Sequence, residues 1–486
     1  MGKISERYEG YLKGYSMSYE SRDQIEEKYR WDLSSMYESD EAFDQALVDI
    51  KTYPEQLAAY RGKISQSASE LLAYLRLEDH VALEFEKAWN YAERRSDEDT
   101  RVSKYQAYTS RCMSLYTQLE EAGSWFNAEL LSISADTIVG FYSDEPALEH
   151  YRRKLEQILR MRSHTLSAAE EALLARANDA ASQPANVYSM FEDADLTFDD
   201  ATDEKGQMHK LTSGSYIPML MGHDRVLRES AFKQLYGRYN QFRNTSAAML
   251  TSQIKQLKFF ADSRKYESSL AYSLDKNEVP VEVYDNLIEA VHNNLPAFYK
   301  YMDLRKQKLG LDELHYWDIY APLVADVDMK FTYEEACDLI VKALEPMGEK
   351  YLELVKKGLS ERWVDVYETP GKCSGAYSAG GKGMNPVILM NFQGTLDDVF
   401  TLIHEMGHSI HTYLSSHTQE ITYSNYVLFV AEVASTCNEA LLSHYLLEHE
   451  SDPARHAYIL NHFLEGFRGT IYRQCMFAEF ERDIND

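Results

Sequence analysis

His404 and His408 bracket Glu405-Met406-Gly407 in a segment whose apolar residues recur at helical spacing. Two imidazoles four residues apart lie on one face of a helix, where both can bind a single Zn²⁺. Glu405 stands between them. A carboxylate there can take a proton from a water that the cation acidifies and return it to a leaving amine. The chemistry indicated is metal-assisted hydrolysis of a peptide bond. The same five-residue spacing also arises in ordinary solvated helices, so the flanks carry the weight.

Thr395 stands at the N-cap position with Asp398 three residues on, the pattern of a capping box, and Asn391-Phe392-Gln393-Gly394 before it reads as a turn. Val399, Leu402, Ile403, Met406, Ile410, Tyr413 and Leu414 continue the helical stripe through both histidines. Gly407 lowers helix propensity between the ligands, as suits a place where another backbone comes close. A catalytic zinc needs a third protein ligand and an open position. The metzincin spacing would require Gly at 411 and His at 414; the residues are His411 and Leu414, so that class is excluded. The segment from Tyr426 to Leu442 is apolar nearly all round and reads as a buried helix carrying two carboxylates. Glu432 is the best third ligand. Glu439, seven residues on and on the same face, can accept a hydrogen bond from a ligand imidazole. His411 shares the face of the two histidines, but a fourth protein ligand would close the open position, so it reads as a packing or substrate-side residue.

These residues resemble the oligoendopeptidase F branch of the thimet oligopeptidase family of zinc metallopeptidases. The resemblance is carried by Ser374-Gly375-Ala376-Tyr377-Ser378, Ile388-Leu389-Met390-Asn391-Phe392, Thr401 to His411, and Ala431-Glu432-Val433-Ala434-Ser435-Thr436. Weaker marks are Trp31-Asp32-Leu33 and Arg473 to Glu481. It implies that one Zn²⁺ is held by His404, His408 and Glu432, that Glu405 is the general base, and that a deep site between helical halves admits short peptides and excludes folded proteins. It also implies a further helical segment beyond the Phe477-Ala478-Glu479-Phe480-Glu481 stretch, with His and Tyr side chains stabilising the oxyanion. This chain stops at Asp486. Loss of one such donor costs ~10²- to 10³-fold in rate. The sequence is then a fragment of a longer protein, or is completed from elsewhere, or is impaired; the last keeps open a zinc-binding peptide-binding protein with little catalysis, and an exopeptidase of the same chemistry is the other alternative to an endopeptidase.

The elements that must position these groups are mostly helical. From Asp40 to Ala180 nearly every segment has helical spacing, for example Ala42 to Tyr60 and Glu145 to Arg162. Longer helical patterns run from Val226 to Ser263, Val281 to Leu309 and Thr332 to Gly358. Leu196-Thr197-Phe198, Asp203 to Gly206 and His209-Lys210-Leu211 read as a small hairpin. It sets the expected boundary between an N-terminal helical domain, 1–195, and a catalytic zinc peptidase domain, 196–486. Trp363 to Tyr367, Gly375 to Ser378 and Val387 to Met390 have strand character, with Ala379-Gly380-Gly381-Lys382-Gly383 as a turn. An extended peptide can add to the edge of such a sheet, and Gly375, Ala376 and Tyr377 are the candidates to hold it. A phosphate-loop reading of the Gly-rich run fails, because Gly383 follows Lys382 and Ala376 stands where the first Gly belongs. The expected fold is mainly α: a helical two-part zincin, with a small β-sheet beside the zinc helix and, by the resemblance, a deep substrate channel.

Bulk properties bound the partners. With 486 residues, 44% of them apolar, the chain can bury a large core and divide into two or more domains. Seventy-eight acidic against 50 basic residues give a formal charge of −28, which disfavours nucleic acid and anionic membrane as partners. Five scattered cysteines, Cys112, Cys337, Cys373, Cys437 and Cys475, lack metal or redox spacing and read as reduced thiols. No apolar run follows the charged N-terminus as a secretory signal would, and the apolar stretch at Val427 to Ala434 is too short to span a bilayer. The expected setting is cytoplasmic, with short peptides as substrates and no oligomeric state specified. The 36 tyrosines read mainly as core residues with bonded hydroxyls.

Overall fold

Ser67, Val102 and Thr395 stand at the starts of long helices because each has extended backbone where the helix begins; Ser67 and Thr395 also cap free amides with their hydroxyls. The computed structural model describes residues 19–324, 327 and 329–485. Four helices matter most for the site: α1 (Ala68–Glu98), α2 (Ser103–Gly123), α3 (Leu396–Thr418) and α4 (Leu428–His449). The strands are short: β1 (Ala201–Thr202), β2 (Met208–His209), β3 (Val364–Asp365), β4 (Tyr377–Ala379) and β5 (Val387–Leu389). The fold is mainly α, as the patterning predicts.

The contacts group the chain into two compact units, Met1–Arg162 with Asp328–Glu450, and Ser163–Val327 with Ser451–Asp486. This grouping in space is not a cut at one chain position. The division at 195/196 thus stands as a proposal about chain order, separate from compactness. In the second unit the antiparallel hairpin pairs Ala201 with His209 and Thr202 with Met208. The first strand begins after the expected Leu196 to Phe198. That unit has small cores of its own, one of Ala201, Leu211, Ala231 and Leu235, another of Ile288, Val291 and Cys475.

The first unit holds the large core. Leu71, Leu72, Tyr74 and Leu75 of α1, Cys112 and Leu115 of α2 and Phe43 and Leu47 of Asp40–Ile50 pack together with Val387 and Leu389 of β5. β5 is the middle strand of the order β3-β5-β4, parallel to β3 and antiparallel to β4, and its three side chains are fully buried. β4 is therefore an edge. The expected long pattern at Thr332 to Gly358 is two helices, Tyr333–Ala343 and Glu349–Ser360, interrupted where Pro346 and Gly348 fall. Likewise Val226 to Ser263 breaks at Phe242.

A buried charge cluster ties distant segments of this unit together. Asp365, at the end of β3, lies 2.8 Å from the Lys372 ammonium and 2.5 Å from Arg22. Lys372 also donates to the carbonyls of Tyr367 and Met390. Arg22 continues to Glu98 at the end of α1, which accepts from the Trp31 indole at 2.8 Å. Burial opposes the Asp365 charge, but Lys372 and Arg22 outweigh it and hold its pKa below the ordinary carboxylate range.

Candidate metal centre

α3 begins with the predicted capping box: Thr395 Oγ1 accepts from the Asp398 amide at 3.1 Å, and the Asp398 carboxylate accepts from the Thr395 amide at 2.8 Å. The buried face of this helix includes Val399, Leu402, Ile403, Met406 and Ile410. His404 and His408 lie a turn apart on it, with Nε2 atoms 3.1 Å from each other. α4 brings Glu432 to the same point, Oε2 standing 3.3 Å from His404 Nε2 and 3.4 Å from His408 Nε2.

The two helices touch at Gly407. A Cβ there would lie 2.8 Å from Ser435 Cα and 2.9 Å from the Ala434 carbonyl oxygen, so only glycine allows this approach. Ser435 is fully buried and donates from Oγ to Glu432 Oε2 at 2.8 Å, aiming the carboxylate. Asn438, also fully buried, donates to the Ile403 carbonyl at 3.2 Å and accepts from the Tyr351 hydroxyl at 3.0 Å, pinning α4 to the turn ahead of His404. Glu439 meets His404 Nδ1 at 2.5 Å. Burial lowers the His404 pKa, but this carboxylate more than compensates and the net direction is up.

The expectation that α4 is buried all round is corrected. Its inward side is Ser435, Asn438, Leu442, Ser443 and Leu446, whereas Leu428, Phe429 and Val433 are exposed, as is the Glu432 side chain at 57%. A helix with apolar residues on every side gives no periodic signal of which side faces the core. Three of the five inward residues are polar, and the close approach to α3 is at Ser435.

The donor set fits a tetrahedral metal ion. In neutral His404, Nδ1 donates to Glu439, so Nε2 turns a lone pair towards the Glu432 carboxylate. Metal bonds of about 2.0–2.1 Å at tetrahedral angles separate donors by roughly 3.3 Å, close to the three spacings here. Among the described residues, His404, His408 and Glu432 are the group of His, Cys, Asp or Glu side chains whose ligand atoms converge in this way, all within 4.8 Å.

Glu405 is nearly buried, and burial raises its pKa, with the Glu432 charge adding to the effect against the counter-pull of His404. The Ser378 backbone amide partly offsets that rise. His411 stacks on Tyr426 with centroids 3.7 Å apart and lies outside the donor group. Of the three substrate candidates, Tyr377 is paired with Leu389, and its hydroxyl donates to Asp97. Gly375 has its carbonyl bonded to the Asn391 amide at 2.8 Å. By strand alternation the main chain of Ala376 faces the open edge. Sequence reasoning missed Ser435, Asn438 and Ser378, whose types are too common to signal a role without the fold.

The profile described as Peptidase family M3 matches residues 219–485, and that described as Oligopeptidase F matches residues 129–198. The chain belongs to peptidase family M3. This M3 chain is 43% identical to oligopeptidase PepF of Bacillus subtilis over 96% of its own length and 69% of that protein's. It is 37% identical to the group B oligopeptidase PepB of Streptococcus agalactiae, covering 77% of it. The crystal structure of oligoendopeptidase-F from Enterococcus faecium superposes with a TM-score of 0.67 at 36% identity, over 92% of the M3 chain and 75% of that structure.

Proposed function

We propose that this M3 peptidase is a zinc-dependent endopeptidase that hydrolyses internal bonds of short oligopeptides. The observation that carries the reading is the convergence of His404 Nε2, His408 Nε2 and Glu432 Oε2 at the spacing of metal ligands, with the Glu405 carboxylate beside them. Those three residues would hold one Zn²⁺, which when bound polarises a scissile carbonyl and acidifies a water. Glu439 fixes the His404 ring by accepting from Nδ1, and Ser435 fixes the Glu432 carboxylate. Glu405 takes the proton of the attacking water and delivers it to the leaving amine. The open edge of β4 grips the substrate main chain whatever its side chains, with Ala376 the strongest of the sequence candidates. The cytoplasm is the proposed setting, supported by five free cysteines; among the described residues no helix is long and apolar enough to cross a membrane.

The test is peptide mapping by mass spectrometry, using end-blocked peptides with zinc, with and without a chelator. Chelator-sensitive cuts inside blocked peptides are expected. Cuts only in peptides with a free terminus would mean an exopeptidase, and intact peptides beside a zinc-loaded chain would mean a peptide-binding protein.

A further inference from the structure

Ser378 lies at the middle of the edge strand, opposite Ile388. The Ile388 amide donates to the Trp363 carbonyl at 2.7 Å and the Met390 amide to Asp365 at 2.8 Å, so the main-chain groups of Ile388 point to β3. In an antiparallel pair the residue opposite such a position has its own N–H and C=O turned away from the shared ladder. The Ser378 backbone thus faces the open edge. Both its N–H and its C=O are turned to that edge, where a further strand can pair with them. Its side chain is committed elsewhere: Ser378 Oγ lies 2.7 Å from Ser409 Oγ. Ser409 is fully buried on α3 and follows His408 directly in the chain.

The M3 chain therefore has one hydroxyl pair joining the strand that would carry the peptide to the helix that carries Glu405 and two metal-ligand candidates. We infer that Ser409, acting through Ser378, is a positioning residue that fixes the register of an extended peptide on β4 relative to Glu405. This rests on the peptidase reading above. A buried hydroxyl needs a partner, and the partner available to Ser409 is on the edge strand; losing either oxygen strands the other or lets β4 shift along α3. The peptide main chain then pairs with the Ser378 carbonyl and with Ala376, two residues away on the same edge, so that Tyr377 makes no main-chain contact to substrate.

The test separates binding from turnover. An end-blocked octapeptide is titrated calorimetrically into the zinc-loaded Glu405→Gln variant, which is expected to bind without cleaving it. Ser409→Ala and Ser378→Ala are then added singly and together, with melting temperature as the check of folding. Each single change is expected to weaken binding roughly three- to ten-fold, the scale of one hydrogen bond. The double change is expected to be no weaker than the poorer single one. Ser378→Thr, which keeps the hydroxyl and suits a strand, is expected to bind like its parent. In the Glu405 background the same alanine variants should raise KM more than they lower kcat. Should Ser409→Ala fail to fold, Ser378→Ala and Ser378→Thr carry the comparison alone. Unchanged binding by the alanine variants, or losses that add independently, would overturn the inference while leaving the peptidase reading intact. A wild-type chain that cleaves no peptide, with a Glu405→Gln chain that binds none, would remove both.

Discussion

Glu405 and Glu432 are both carboxylates close to the paired histidines, yet their surroundings fit them for different work. Glu405 is nearly buried with a raised proton affinity, whereas Glu432 is exposed and held by the Ser435 hydroxyl with both imidazoles in reach. Replacing Glu405 by Gln is expected to lower peptide hydrolysis by ~10²- to 10⁴-fold, the range for loss of a general acid–base group, with zinc content unchanged on elemental analysis. Glu432→Ala is expected to leave the chain without zinc in the same measurement; retained zinc would remove Glu432 from the ligand set. Glu439→Ala is expected to weaken zinc binding by roughly 10- to 100-fold in a competition titration, because the His404 ring loses its orienting acceptor. The carboxylates and imidazoles were legible in the sequence because the capped, amphipathic flanks single that spacing out from ordinary solvated helices. Ser435 was not, because a serine in a helix is ordinarily a neutral choice.

Helix packing explains why the motif contains a glycine. Gly407 is where α4 lies against α3, with Ser435 Cα at 2.8 Å from the position a Cβ would take. Gly407→Ala gains helix propensity yet has to push the helices apart. The net expectation is destabilisation by about 1–3 kcal/mol on the scale of overpacked cores, read as a lower melting temperature, together with weaker zinc binding because Glu432 moves with α4. The start of α3 was fully legible, because Thr395 and Asp398 cap it by local bonds that need no partner from elsewhere. The orientation of α4 was not legible. Three of its five inward residues, Ser435, Asn438 and Ser443, are polar, and burial of such types is not signalled by an apolar pattern.

At the level of the whole first unit, Asp365 gathers Lys372 and Arg22, and through Arg22 reaches Glu98 and Trp31. The cluster fixes the ends of β3 and β5 and so the sheet whose edge lies beside α3. Asp365 has a folded pKa below its unfolded value of about 3.9. Its contribution to stability is therefore complete above that unfolded value and lost as pH falls through the lower folded one. Thermal melts are expected to show falling stability below about pH 4, with a shallower fall in Asp365→Asn. Lys372→Met leaves the buried carboxylate with Arg22 as its one cation beside the Trp31 amide; removing one partner of a buried pair typically costs about 3–5 kcal/mol, so a large drop in melting temperature at pH 7 is expected.

The sequence by itself determined the helical class, the capped helix that carries His404, Glu405 and His408, and the helix with Glu432 and Glu439 that follows, because each depends on residues within a few turns of one another. It also placed β3, β4 and β5 to within a few residues, since short apolar runs between glycines have few other conformations. Tertiary structure alone decided that β5 is the middle strand and β4 an edge, which side of α4 is buried, and that Ser378 and Ser409 join the strand to the helix. These turn on hydrogen bonds and contacts between segments tens to hundreds of residues apart, and no local pattern encodes a partner at that distance.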